Sequence, residues 1–481
     1  MLTAFIISEW VLRVAMAGLI LLRKRGPTAL AWLLVSLAEP IVGLALYVLV
    51  GESHLARARS RQYEQALRRV DAAARLARQK DGTGGVPPER RNLAHLAERL
   101  GDMPTIPGNT AEIIAEPDRF FESLVADIDG AQSFVHLLYY IYNPGRAASA
   151  VSDALIRACA RGVACRVLVD AVGSRNVRSL LPELRAAGVR IEEMLPANPV
   201  RRKLARVDLR NHRKLAIIDG RTMYTGSQNI TDPVPPGPDR RPRSWRRRRK
   251  RGWDDLSVRL QGPVVLEGEV VFIEDWNMTT GEVLDELNPG EVRPPEPQGD
   301  TTAQIVPSGP TLPVDAFHLF IIGAFHDAAR SIEVVNPYFV PDDTVVLALS
   351  IAAMRGVDVR LILPHASDHP LVNGAARSRF AELLGAGVRI YLHQGEMLHS
   401  KSIAIDDDLS IIGSGNIDMR SFHLNFELSM VLYGRQVTAD LRAQHAKYIR
   451  QASEVTLDQW SKRGWFAKVG SNVAGLLGPL L

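Results

Sequence analysis

One short pattern occurs twice in this chain. His212-Arg213-Lys214 with Asp219, and His399-Ser400-Lys401 with Asp406, both read H-x-K-x4-D, and each runs on to a Gly-Ser-x-Asn at the same offset, Gly226-Ser227-Gln228-Asn229 and Gly413-Ser414-Gly415-Asn416. In a strand, residues two apart share a face, so His212 stands beside Lys214 and His399 beside Lys401. Two imidazoles, two ammonium groups and two side-chain amides suit the oxygens of a phosphodiester. One neutral imidazole can attack phosphorus while the other, protonated, gives its proton to the leaving alcohol. The lysines supply the positive charge, so neither metal nor cofactor is expected. A lone copy of so short a pattern arises by chance; two copies with matched trailing residues do not. A zinc site is disfavoured, because the sequence has no His-Glu-x-x-His and no cysteine cluster.

The elements that must position these groups can be read around them. Leu215-Ala216-Ile217-Ile218 and Ile403-Ala404-Ile405 are apolar runs of buried-strand type. Asp219-Gly220 is a hairpin signal, which puts Asp219 at a strand end bracing a turn, with Asp406 at the equivalent place. Met223-Tyr224-Thr225 and Leu409-Ser410-Ile411-Ile412 then return as strands and bring Ser227, Asn229, Ser414 and Asn416 back beside the histidines. The repeat extends further. Arg161-Gly162-Val163-Ala164-Cys165-Arg166 parallels Arg355-Gly356-Val357-Asp358-Val359-Arg360, each a helix end with a glycine stop before a buried strand. Helices alternating with short apolar strands predict an α/β fold: two duplicated sandwich halves packed face to face, with one shared central site.

The paired motifs resemble those of the phospholipase D superfamily. The residues around them resemble bacterial cardiolipin synthases: Asp208-Leu209-Arg210-Asn211-His212, Asn336-Pro337-Tyr338-Phe339-Val340-Pro341, and Asn416-Ile417-Asp418-Met419-Arg420-Ser421-Phe422 followed by Asn425-Phe426-Glu427. The resemblance covers almost the whole chain. It implies transfer of a phosphatidyl group from one phosphatidylglycerol to another through a phosphohistidine, with release of glycerol. His212 would be the nucleophile and His399 the acid-base partner, with the other motif residues, Lys214, Asp219, Lys401 and Asp406, in the same catalytic set. Lys214, Lys401, Asn229 and Asn416 would hold the phosphate oxygens, with Ser227 and Ser414 beside them. It further implies an acidic residue after each motif that orients a histidine, which matches Glu427 and, in the first half, Asp255. One departure is Leu138, where family members often carry a glutamate. Hydrolysis of the same lipid and cleavage of nucleic acid are the competing readings.

Composition bounds the rest. With 481 residues the chain is long enough for more than one domain, its formal net charge is +5, and its two cysteines, Cys159 and Cys165, form no disulfide framework. Residues 1–51 hold two apolar stretches, 2–22 and 29–50, that predict membrane helices; the first carries Glu9 and Arg13, the second is interrupted at Glu39-Pro40. No cleaved signal peptide is expected. Arg23, Lys24 and Arg25 between the spans conflict with the larger cluster Arg57 to Arg69 after them; the larger cluster puts the catalytic part in the cytoplasm of a bacterial plasma membrane. Residues 52–108 read as a charged helix and linker, 109–287 as the first half, Asn288–Asp300 as a Pro-rich linker, 301–460 as the second half, and 461–481 as an apolar tail able to dip into an interface. Arg240–Arg251 holds eight Arg and one Lys, with Trp245 inside. Beside a membrane, such a run fits anionic headgroups better than nucleic acid. The expected partners are therefore anionic phospholipid and membrane, with no nucleic acid.

Overall fold

The structure is a computed structural model that describes residues 2–23, 26–47, 51, 84–196, 208–232, 252–282, 284, 295–312, 314–367, 369–476 and 478. The charged helix expected over 52–80, the Arg240–Arg251 run and most of the Asn288–Asp300 linker lie outside the described residues.

In the first half the strands are β1 (Ile106–Ile114), β2 (Phe134–Tyr139), β3 (Ala164–Asp170), β4 (Arg190–Met194), β5 (Arg210–Asn211), β6 (Lys214–Ile218), β7 (Thr222–Gly226), β8 (Trp253–Asp254) and β9 (Ser257–Gln261). The second half holds β10 (Thr301–Ser308), β11 (Ser331–Val335), β12 (Phe339–Val340), β13 (Asp358–Pro364), β14 (Arg389–His393), β15 (Met397–Leu398), β16 (Ser402–Ile405), β17 (Leu409–Gly413), β18 (Ile417–Asp418), β19 (Asn425–Tyr433) and β20 (Ala452–Val455). The hydrogen-bonded order is β1-β9-β7-β6-β2-β3-β4 in one half and β10-β19-β17-β16-β11-β13-β14 in the other, with β20 added at the outer edge. The orders match strand for strand, so the repeat seen in the motifs is a repeat of the whole sheet. The matching strands β1 and β10 pair antiparallel, Ile106 opposite Ala303 and Asn109 opposite Thr301. The halves therefore join edge to edge in one mixed sheet, rather than packing face to face.

The central strands are apolar because both their faces are covered. Lys214–Ile218 and Ser402–Ile405 are buried at every residue. Each half keeps its own core on one face, one built around Val135, Leu137, Val167 and Ala216, the other around Val334, Val359, Leu361 and Ile403. The opposite face carries a core to which both contribute, including Leu215, Ile217, Phe272, Ile412, Met430 and Leu441. The helices Val265–Thr280 and Arg435–Arg450 supply it. The helix Arg91–Gly101 precedes the first half in sequence but packs Leu93, Ala94 and Ala97 into the second half's core. Just before it, buried Arg90 binds Asp406 at 2.6 Å, Asp408 at 2.9 Å and Asp327 at 2.6 Å.

The N-terminal expectation needs correction. Among the described residues no helix is long and apolar enough to cross a membrane. The first stretch is the helix Leu2–Arg23, with Arg13 bound to Glu9 at 3.0 Å. The second breaks at Glu39-Pro40 into the helices Gly26–Ala38 and Pro40–Leu46. Proline cannot donate the helical hydrogen bond and disfavours helix in the residue before it, so neither piece reaches the length of a span. The three helices fold on one another around Met16, Ile20, Ala29 and Tyr47. The tail expected over 461–481 contains a helix, Trp465–Leu476, packed on the helix Pro370–Ser378.

Candidate active site

Each histidine is set by an exchange between the halves. Residues Arg210 and Asn211 of β5 pair in parallel with Asn425 and Phe426 of β19. Met397 and Leu398 of β15 pair in parallel with Trp253 and Asp254 of β8. Each pairing continues one residue: His212 N–H donates to Phe426 O at 2.9 Å, and His399 N–H to Asp254 O at 2.9 Å. The register brings His212 level with Glu427 and His399 level with Asp255. The side chains meet accordingly. His212 Nδ1 lies 3.0 and 3.1 Å from the Glu427 oxygens, and His399 Nδ1 lies 2.6 Å from Asp255 Oδ1. Each half thus lends its acid to the other half's histidine, and neither half-site is complete alone.

The serines of the Gly-Ser-x-Asn segments hold these acids. Ser227 donates to Asp255 at 2.7 Å and accepts Leu256 N–H at 2.9 Å; Ser414 donates to Glu427 at 2.5 Å and accepts Leu428 N–H at 3.0 Å. Glu427 also accepts from Ser421 at 2.9 Å and Asn425 at 3.2 Å. The serines, expected beside the substrate, turn their hydroxyls to the acids. Lys214 Nζ donates to the His212 carbonyl at 2.5 Å, and Lys401 Nζ to the His399 carbonyl at 2.7 Å while standing 3.2 Å from His399 Nε2. Asn229 Oδ1 accepts Ile141 N–H at 3.1 Å, and buried Asn416 follows Ser414 on the other side. Tyr140 stands edge-on to His212 at 4.8 Å, Tyr338 edge-on to His399 at 6.2 Å, and Trp253 stacks on His399 at 4.9 Å.

Asp219 and Asp406, expected among the catalytic residues, are not with the histidines. Each lies at the far end of its strand, in the left-handed region at φ 53° and 49°, a conformation a short polar side chain tolerates. Asp219 accepts the N–H groups of Gln132, Ser133 and Phe134 at 2.8 to 3.0 Å, and Asp406 those of Ala329, Arg330 and Ser331 at 2.6 to 3.0 Å. They tie the hairpins to the neighbouring strands β2 and β11. Arg213, between the motif's His and Lys, is also structural. It is fully buried, pairs with Asp275 at 2.9 Å and donates to the carbonyls of Glu427 and Ser308.

Electrostatics set the protonation states. Burial drives His212 down to about 4, against the pull of Glu427 and with help from Lys214 and Lys401. Burial, then Lys401, also lowers His399, against Asp255. Burial alone would raise Glu427, but His212, Lys214 and Ser414 outweigh it and hold the carboxyl at about 2. Asp255 is likewise lowered, by His399, Lys401 and Ser227 against burial. Burial takes Lys214 well below the ordinary lysine range, opposed by Glu427 and reinforced by Lys401. The pattern at neutral pH is two neutral imidazoles, each donating Nδ1–H to a carboxylate, so each Nε2 carries its lone pair.

Sequence reasoning named the histidines, the lysines beside them and both acids that the structure brings together. It missed the crossing of the acids, Tyr140 and Tyr338 as ring neighbours, and Trp253 over His399. Trp253 lies two residues before Asp255, as Asn425 lies two before Glu427, so the repeat itself marked the position.

A family model described as cardiolipin synthase, phospholipase D-like domain, matches residues 124–233 and 321–449. The chain is 35% identical over 486 residues to cardiolipin synthase A of Pectobacterium carotovorum subsp. carotovorum strain PC1, covering 99% of this chain and 98% of that protein. Against cardiolipin synthase A of Escherichia coli strain K12 / DH10B it is 34% identical over 488 residues, with the same coverage. Among solved structures, phosphatidylserine synthase of Haemophilus influenzae Rd KW20 superposes with a TM-score of 0.58 at 12% identity, over 81% of this chain and 100% of that one.

Proposed function

The chain belongs to the cardiolipin synthase family of phospholipase D-like proteins, and from that premise we propose that it is a phosphatidyltransferase that joins two phosphatidylglycerols through a phosphohistidine on His212. The observation that carries this reading is the crossed pairing: two neutral, buried imidazoles, each aimed by a carboxylate from the opposite half.

In the first step His212 Nε2 attacks the phosphorus of one phosphatidylglycerol. The bond from phosphorus to the headgroup oxygen breaks, and His399, protonated in the presence of the bound anion, gives its Nε2 proton to the departing glycerol. In the second step the terminal hydroxyl of another phosphatidylglycerol gives its proton to His399 and attacks phosphorus. The P–N bond breaks, cardiolipin leaves, and His212 is neutral again. Lys214, Lys401, Asn229 and Asn416 stabilise the phosphate oxygens as charge builds on them. The assignment of His212 as nucleophile is supported by an asymmetry: Lys401 Nζ stands 3.2 Å from His399 Nε2, whereas among the described residues His212 Nε2 makes no hydrogen bond. Asp255 and Glu427 fix each ring's tautomer, as the aspartate does in a serine hydrolase triad.

Membrane attachment belongs to the same proposal. The helices Leu2–Arg23, Gly26–Ala38 and Pro40–Leu46 expose Trp10, Leu22, Leu34 and Ile41. They lie in the interface of the bacterial plasma membrane, with the catalytic part on the cytoplasmic side.

The test is product analysis by mass spectrometry, with purified chain and phosphatidylglycerol vesicles, alongside His212→Ala. Cardiolipin and glycerol in equal amounts, absent with the variant, are expected. Phosphatidic acid alone would make water the acceptor and sink the transferase reading.

A further inference from the structure

The helix Trp465–Leu476 is amphipathic in the inverted sense. Toward the protein it turns small residues: Ser471 and Ala474 are buried, and Ala474 packs with Val340 and Ala375. Contact with the helix Pro370–Ser378 is close enough to require glycine on both sides. A Cβ on Gly374 would stand 2.7 Å from the Ala474 Cβ, and one on Gly475 would stand 2.6 Å from Ser378 Oγ. The large apolar side chains point away from the protein: Trp465, Phe466, Val469, Val473 and Leu476, with Phe466 84% and Leu476 80% exposed. At about 100° per residue these five fall on one face of the helix. A surface helix on a water-facing protein arranges the reverse, so this face is shaped for a second apolar partner.

We propose that this face docks on a phospholipid bilayer of anionic character and sets the mouth of the active site against it; the inference rests on the lipid-transfer reading above. Two further observations select lipid as the occupant. First, the border of the apolar face is basic: Lys468 stands on the helix beside it, while Lys462 just before the helix is paired with Asp458 at 2.6 Å and Arg463 turns to the buried side, over the Trp460 ring and onto Ser471. A basic border on an apolar strip is the pattern of helices that lie in an anionic interface. Second, the helix abuts the site. Val340, which Ala474 touches, belongs to β12, and β12 pairs with β18 immediately after Asn416. On the same side His369, at the start of the Pro370–Ser378 helix, stands 5.8 Å from Tyr338, which stands 6.2 Å from His399. A helix seated in the interface here brings the reacting phosphate, which lies at headgroup depth, level with the histidines.

The experiment compares the purified full chain with the triple variant Trp465→Ser, Phe466→Ser, Leu476→Ser on two forms of one substrate: dioleoyl phosphatidylglycerol in vesicles, and dihexanoyl phosphatidylglycerol dispersed as monomers. The variant is expected to lose about tenfold or more of the vesicle rate, in proportion to the apolar area withdrawn from lipid, while matching the parent on monomers. An unchanged vesicle rate, or an equal loss on both forms, would overturn the proposal. A second readout does not depend on turnover. Tryptophan emission is measured on mixing with vesicles of brominated phosphatidylglycerol, for the parent and for Trp465→Phe. Stronger quenching of the parent is expected; equal quenching overturns the docking. Emission from Trp465 that becomes shielded as protein concentration rises, without lipid, overturns it in favour of a second copy of the chain. Should the parent turn over neither substrate, the transferase reading fails while the quenching difference still decides the docking.

Discussion

Replacing Glu427 by Gln tests the crossed arrangement at its most sensitive point. Every neighbour of this carboxylate donates to it: His212 from 3.0 and 3.1 Å, Ser414 from 2.5 Å, Ser421 from 2.9 Å and Asn425 from 3.2 Å. Gln must put an NH2 where an oxygen stood. Turned toward Oε2, it meets Ser414 and the Nδ1–H of His212; turned toward Oε1, it meets Ser421, Asn425 and the same Nδ1–H at 3.1 Å. Either way at least two charge-assisted bonds are lost, each worth about 1.5–3 kcal/mol. In the first case His212 can recover a bond only by moving its proton to Nε2, which removes the attacking lone pair. The expected loss in the rate of phosphoenzyme formation is about 10^3- to 10^4-fold, on the order of 4–5 kcal/mol in the barrier. The assay is a quenched single turnover with radiolabelled phosphatidylglycerol, counting acid-labile label on protein. Its partner is Asp255→Asn, read with an ordinary substrate and with an analogue whose leaving group departs without a proton. The analogue should largely rescue Asp255→Asn, because His399 then has no proton to deliver, and should not rescue Glu427→Gln. Rescue in the opposite sense, or loss of less than about tenfold in Glu427→Gln, would refute the reasoning.

Acidification should destabilise the fold through His212. Its folded pKa of about 4 lies below the unfolded 6.5, so the unfolded state binds the extra proton between those values, and up to about 3 kcal/mol is lost as pH falls from 6.5 toward 4. Thermal melts across that window should show a smaller slope in His212→Gln; an identical slope would remove His212 from the account. Arg90→Ala leaves Asp406 and Asp408 without their buried partner and should cost about 3–5 kcal/mol in chemical denaturation, a loss that a merely superficial ion pair would not produce. Asp219→Ala strips three N–H groups of their acceptor and should cost about 2–4 kcal/mol, while turnover per folded molecule stays near that of the parent. A collapse of turnover in well-folded Asp219→Ala would return that aspartate to the catalytic set.

The repeat made much of this molecule legible. The period-two placement of His and Lys, the apolar runs behind them and the hairpin at Asp219-Gly220 are local features, and local sequence determines them. The matched glycine stops at Gly162 and Gly356 gave the α/β alternation. What the sequence could not convey was long-range. Nothing near His212 says that its carboxylate lies at 427 rather than 255, because that depends on how β5 pairs with β19 and β15 with β8. The edge-to-edge join through β1 and β10 is hidden for the same reason. So is the helix Arg91–Gly101, whose core partners lie more than two hundred residues downstream. The motif aspartates brace their turns, as the hairpin signal at Asp219-Gly220 indicates, and the spacing of the motif does not by itself separate a side chain that reacts from one that holds a turn. The N-terminal stretch was overread on mean apolarity alone, although Glu39-Pro40 already marked the break.

The central claim is a phosphatidyl group carried on His212 under the aim of Glu427. The most direct measurement is to quench the His399→Ala enzyme during reaction with the readily leaving analogue and locate the added mass by peptide sequencing. The account expects the phosphatidyl group on the peptide containing His212, on that side chain. A group found on His399 in the parent under the same quench, or turnover with no covalent species on either histidine, would contradict it.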